Sequence, residues 1–181
     1  MTGKTHLAAG LCISLATTAC SLDSSEGVLH IPYTDPLYVI PIGMACCIVG
    51  SLFPDIDWQT SKIGQVIAPV SKIINMLFGH RTLFHSPLLL ALLFVIVRYG
   101  FPDYAWFALL FLFGAASHLF LDMLNAKGIP LFYPYEKRFH ILRLKQNGIA
   151  ETMIRKILLG GSVAAGIAFV VTFIMRLKVI F

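Results

Sequence analysis

The sequence predicts an all-α fold: a polytopic membrane helical bundle of about five transmembrane helices, with one amphipathic helix lying in the interface. Three observations carry this. The composition is 57% hydrophobic and 13% charged, with a mean hydropathy of +0.81. A soluble domain is nearer to roughly 45–50% apolar and about 25% charged. Apolar runs recur along the whole chain, each close to the ~20 residues a spanning helix needs. Basic residues collect in alternate connections between those runs. The length of 181 residues suits one integral-membrane domain over 1–181. These properties exclude a disordered chain, a disulfide-stapled secreted domain and an ordinary soluble enzyme. The net charge of +5 marks cytoplasmic loops, and no nucleic-acid partner is expected.

Spans are expected at 5–21, 36–53, 83–97, 104–124 and 157–175. The first and third are short and would tilt little or thin the bilayer locally. The first is read as a retained helix. Its positive flank is only Lys4, and residues 16–19 make a poor signal-peptide cleavage site. Cys12, Cys20, Cys46 and Cys47 lie within or at the ends of apolar runs, without zinc-finger spacing, and read as packing residues.

Between the second and third spans, Ile63, Val66, Ile67, Val70, Ile73, Ile74, Leu77 and Phe78 recur at helical spacing. Lys62, Gln65, Ser71, Lys72 and Asn75 fill the other side, with Pro69 as a kink. This is an amphipathic helix for the cytoplasmic interface. The aromatic, proline-rich loop 128–135 suits the headgroup level.

Charge bias sets the expected orientation. The connection 22–35 carries Asp23, Glu26 and Asp35 but no Lys or Arg. The connection 54–82 carries Lys62, Lys72 and Arg81. The connection 125–156 carries Lys127, Lys137, Arg138, Arg143, Lys145, Arg155 and Lys156. The N-terminus is therefore expected in the cytoplasm and, with five spans, the C-terminus outside. Arg176 and Lys178 pull mildly the other way.

Ionisable residues at a membrane edge are costly and mark function by default. Here they share one depth. His6 opens the first span, Asp55 and Asp57 close the second, His80 and His85 precede the third, and His118 and Asp122 end the fourth. With alternating span directions, all seven fall at the cytoplasmic edge. His118 and Asp122 stand at i, i+4, on one helical face, as two ligands of one metal would. Asp55 and Asp57 offer hard oxygen donors beyond a helix end that Pro54 terminates. Ser86-Pro87 is a helix start that would help His80 and His85 converge.

Imidazole and carboxylate without thiolate suit Zn²⁺ best, with Mn²⁺ or Fe²⁺ as alternatives, and seven candidate ligands allow one or two ions. His30 and His140 read as solvated. Arg81 could hold a substrate phosphate or carboxylate as a fork, or merely flank the span. Asn125 could orient a ligand or cap a helix end.

Gly3-Lys4-Thr5-His6, Gly50-Ser51-Leu52-Phe53-Pro54-Asp55-Ile56-Asp57, His80-Arg81, His85-Ser86 and Ser117-His118-Leu119-Phe120-Leu121-Asp122 come in an order that resembles the YdjM-like family. That family is described as LexA-binding, inner-membrane-associated, metal-dependent hydrolases. The resemblance runs from about His6 to Pro134. It implies a helical protein of a bacterial inner membrane, with His6, Asp55, Asp57, His80, His85, His118 and Asp122 at the metal positions. Where Gly is expected after the His-Arg pair, this chain has Thr82. No LexA partner is carried over.

The expected function is a membrane-embedded metal-dependent hydrolase acting on a lipid or lipid-linked phosphoester. Asp57 or Asp55 would take the proton of the attacking water, and Arg81 would hold the anionic group. In ligand type the set is similar to zinc phospholipase C-type enzymes. The alternative is a metal-ion transporter or metal-sensing membrane protein using the same ligands. Against transport, the fifth span offers only glycines, Ser162 and Thr172 as polar or small features.

Overall fold

In the computed structural model, which describes residues 1–23, 36–79, 81–135 and 137–180, the first apolar run folds as α1 (Gly3–Asp23). This helix is rich in hydroxyls, which it satisfies internally. Ser14, Thr17, Thr18 and Ser21 each donate to a carbonyl three or four residues earlier. A helix can then sit in hydrocarbon without orphaned donors. The second run forms α2 (Pro36–Leu52), which carries Pro41 internally. A 3₁₀ turn, Phe53–Asp57, begins where Pro54 ends α2.

The predicted amphipathic helix is two helices, α3 (Lys62–Val66) and α4 (Ala68–Phe78). Proline explains the difference. Its ring clashes with the carbonyl four residues back and it has no N–H, so a helix stops before it and another starts with it in the first turn. Pro69 thus opens α4 and does not kink one continuous helix. Val70, Ile73, Met76, Leu77 and Phe78 of α4 are exposed, while Ser71 is buried.

Helix α5 (Pro87–Gly100) is N-capped by Ser86, whose Oγ accepts from the Leu88 N–H at 3.3 Å. Helix α6 (Ala105–Met123) follows, then a two-residue antiparallel pairing of β1 (Ile129–Pro130) with β2 (Arg138–Phe139), and α7 (Ile149–Ile180). Four helical stretches, Gly3–Leu22, Tyr38–Asp57, Pro102–Met123 and Ile149–Arg176, are long and apolar enough to cross a membrane. The third expected span is shorter than the others. Residues Leu83–His85 form a 3₁₀ turn and α5 has 14 residues, about 21 Å at 1.5 Å per residue, against a hydrocarbon core of about 30 Å.

The helices stack as α7, α1, α2 with α6, then α5. The α2–α6 contact is closest at glycine. A Cβ on Gly114 would collide with the Cys47 carbonyl, and one on Gly50 with the Phe111 carbonyl. Small residues let backbones meet in this way when no hydrophobic effect drives helices together. At the far end of α1, Arg176 Nε donates to the Leu22 carbonyl at 2.6 Å, covering an orphan acceptor of the helix terminus.

Candidate metal centre

The close α2–α6 approach sets the first ligand. One turn beyond Gly114, His118 Nδ1 lies 2.8 Å from the Ser51 carbonyl, an acceptor, so Nδ1 carries the proton and donates. Nε2 is left with its lone pair. It is fully buried and makes no hydrogen bond among the described residues. It faces Asp55 Oδ1 at 3.7 Å and Asp122 Oδ2 at 3.9 Å. Metal-ligating histidines are oriented in this manner by an outer acceptor.

The start of α1 supplies His6, whose ring stacks on His118 with centroids 3.6 Å apart and planes 11° apart. Its Nε2 is 3.4 Å from Asp122 Oδ1, without hydrogen-bond geometry. The turn before α5 supplies His85, whose Nε2 lies 3.8 Å from Asp55 Oδ1 and 3.7 Å from Asp122 Oδ2. Two donor triads result, His6–His118–Asp122 and Asp55–His85–His118, each with its ligand atoms within 4.8 Å of one another. His118 belongs to both.

Of the seven expected ligands, six converge: His6, Asp55, Asp57, His85, His118 and Asp122. His80 lies outside the described residues, as does His30. Asp57 stands behind the others. Its Oδ2 accepts the Arg81 N–H at 2.9 Å and lies 3.4 Å from His85 Nδ1, outside the two triads. The α3–α4 segment clamps this acidic turn, with Ser61 Oγ donating to the Asp55 carbonyl at 2.7 Å and Asn75 Nδ2 to the Asp57 carbonyl at 2.7 Å.

Arg81 has φ +61°, a left-handed conformation that costs an L-residue about 1–2 kcal/mol. The cost is offset locally: the N–H reaches Asp57, Nη2 lies 2.7 Å from Asp122 Oδ2, and Nη1 donates to the Gly128 carbonyl at 3.4 Å. Thr82, standing where a glycine was expected, has φ −121° and needs no glycine. Asn125 serves the turn after α6. Its N–H donates to the Asp122 carbonyl at 3.2 Å, and its Oδ1 accepts from the Lys127 N–H at 3.5 Å.

Sequence reasoning did not single out Glu151. It is buried in the first turn of α7 and accepts from the Thr2 N–H, the Thr2 and Thr5 hydroxyls and the Asn147 N–H. These bonds tie the start of α1 to α7, and the Met1 amino group then pairs with Asp122 Oδ1. The available signal was an acid close before the basic pair Arg155 and Lys156. Residues 149–156 read as loop because of Arg155 and Lys156, yet they form the first turns of α7. The cysteines stay outside the cluster, and Cys47 Sγ packs 3.8 Å from the Gly10 carbonyl.

The donor set fits a divalent metal ion. Buried polar atoms are normally hydrogen-bonded, yet His118 Nε2 and both ring nitrogens of His6 have no hydrogen-bond partner among the described residues. They lie beside carboxylates in two groups of mixed nitrogen and oxygen donors.

Known proteins resemble this chain along most of its length. The family model described as YdjM inner membrane protein matches residues 1–180. The uncharacterized protein YvsG of Bacillus subtilis (strain 168) is 34% identical over 155 residues, covering 85% of this chain and 87% of that protein. The inner membrane protein YdjM of Escherichia coli (strain K12) is 32% identical over 148 residues, covering 78% of this chain and 69% of that one. No solved structure matches. With its model matched along nearly the whole chain, this membrane protein belongs to the YdjM inner membrane protein family.

Proposed function

We propose that this is a multi-pass inner-membrane, metal-dependent hydrolase acting on a lipid or lipid-linked phosphoester, with its N-terminus and site on the cytoplasmic side. The carrying observation is His118, its Nδ1 held by Ser51 and its Nε2 buried between Asp55 and Asp122 with no hydrogen-bond partner among the described residues. Zinc suits this donor set best. His6, His85, His118, Asp55 and Asp122 would hold a divalent ion, whose contribution there would be Lewis acidity toward a phosphoryl oxygen and a bound water.

The chain's own groups divide the remaining work. Asp57 stands 3.4 Å from His85 Nδ1, and the Ser51 carbonyl fixes His118. Asp55 is the part-exposed carboxylate, 18% accessible at its side chain, and lines the cavity beside the cluster. With Oδ1 facing the histidines, its other oxygen would accept the proton of an attacking water. Arg81 lines the same cavity and steadies Asp122 while presenting positive charge to the substrate. The exposed apolar face of α4 favours a substrate that stays in lipid.

Two assays test the proposal. Protein in detergent should release phosphate or alcohol from short-chain phospholipid esters, with activity lost to a chelator and restored by zinc. Divalent-metal flux into vesicles should match that of protein-free vesicles. Flux without hydrolysis would establish the transporter instead. For orientation, Ser25→Cys in a cysteine-free background should react with an impermeant thiol reagent in intact cells, and Gln146→Cys only after lysis. The reverse pattern would put the site on the outer face.

A further inference from the structure

A cavity of about 660 Å³ opens directly onto the candidate metal centre. Asp55 and Arg81 belong to both. Beyond them its walls carry Lys4 at the start of α1, Lys62 at the start of α3, Lys127 in the loop after α6 and Arg155 in the early turns of α7. These four cations come from four separate parts of the chain. None forms an ion pair among the described residues. The acid best placed to neutralise them, Glu151, is taken up by Thr2, Thr5 and Asn147. Among the described residues Asp55 is the single carboxylate in the cavity wall, and it faces the histidines. A concave site lined by one sign of charge focuses its field on a ligand of the opposite sign.

We infer that this cavity is a second anion subsite, and that the molecule bound there carries a phosphate or other anionic group in addition to the one presented to the His/Asp cluster. A diphosphate head fits; a zwitterionic head would set its ammonium among lysines. That the bound molecule is the substrate rests on the hydrolase reading above. The anion subsite is measurable without it. Ile63 at the wall leads into the exposed apolar residues Val66 and Val70, so an acyl or prenyl chain has a surface to follow out of the cavity.

The test is calorimetric titration of the full chain in detergent, metal-stripped so that chelation contributes nothing. Inorganic pyrophosphate should bind at least about tenfold more tightly than orthophosphate, since it can accept further charge-assisted hydrogen bonds. The double substitution Lys62→Gln with Arg155→Gln should weaken pyrophosphate about tenfold. Lys72→Gln, on exposed α4 surface away from the cavity, should leave it unchanged. Helical circular dichroism equal to that of the wild type checks that the double variant is folded. Should it fail that check, Lys62→Gln alone, at an exposed position, takes its place.

Mixed micelles separate the two sources of such a ligand. Displacement of pyrophosphate by phosphatidic acid but not by phosphatidylcholine assigns the subsite to a lipid head. Displacement by neither assigns it to a free oligophosphate. Equal displacement by both lipids, equal affinity for pyrophosphate and orthophosphate, or no effect of the wall substitutions would overturn the inference. A protein that binds pyrophosphate but holds no zinc keeps the anion subsite and sinks the hydrolase; one that holds zinc but ignores pyrophosphate does the reverse.

Discussion

Helices α6 and α7 look alike by hydropathy and differ in almost everything else. Both Pro102–Met123, built around α6, and Ile149–Arg176, within α7, are apolar enough to cross a membrane, but half of the residues in the apolar window of the first are buried against 6% in that of the second. Helix α6 is gripped by α2 through Gly114 and carries His118 and Asp122 inward at its last turns. Helix α7 packs on α1 and turns Val163, Ile167, Val170 and Ile174 outward. Its polar side-chain contacts with α1 lie at its ends, Glu151 at one and Arg176 at the other, while Ser162 and Thr172 bond within the helix. In a lipid solvent, then, hydropathy marks what spans, while small residues and buried polar side chains mark what packs and works.

The contrast breaks first at His118. Because it is shared by both triads, His118→Ala should lower metal affinity more than the ~10–100-fold typical of outer-shell changes. Asp55→Ala, which removes a member of one triad, should lower it less. Equal, small losses for both would separate the triads from metal binding. Gly114→Ala tests whether the α2–α6 approach matters. The new methyl meets the Cys47 carbonyl and pushes His118 off Ser51, for an expected affinity loss of about tenfold, measured by competition with a chromophoric chelator.

On α7 the first turn should matter and the middle should not. Glu151→Gln replaces a charged acceptor of several hydrogen bonds and should cost about 2–3 kcal/mol, visible as a lowered unfolding midpoint. An unchanged midpoint would mean the α1–α7 clamp is dispensable. Arg81→Lys keeps the charge but cannot reach both Asp122 and the Gly128 carbonyl. Metal content should hold while KM rises several-fold in the hydrolase assay; wild-type kinetics would reduce Arg81 to a flank of the span. Smallest of all, Ile167→Ala, on the outward face of α7, should shift stability by less than about 0.5 kcal/mol and leave metal content alone.

Much of this was legible in the sequence because it is written in side-chain type and depth. Alternating span direction and the positions of His6, Asp55, Asp57, His85, His118 and Asp122 were enough to expect a common edge. Other features follow from backbone or tertiary position. Ser51 contributes a carbonyl, which any residue could supply. Lys4, Lys62, Lys127 and Arg155 read as separate flanking charges until the packing of α1 against α7 and the α3–α4 segment brings them around one cavity. The length of α7 was hidden by its charged first turns, and the break at Ile67 by an apolar period that runs unbroken through Pro69.

The central claim, that the buried histidines and carboxylates hold a metal ion, is tested most directly by elemental analysis. Wild-type protein and the His118→Ala, Asp122→Ala double variant would be purified side by side in detergent, loaded with zinc and dialysed. Wild type should retain at least one zinc per chain. The double variant should retain none while keeping the same helical circular dichroism. Zinc retained in full by the double variant, or by neither protein, would contradict the account.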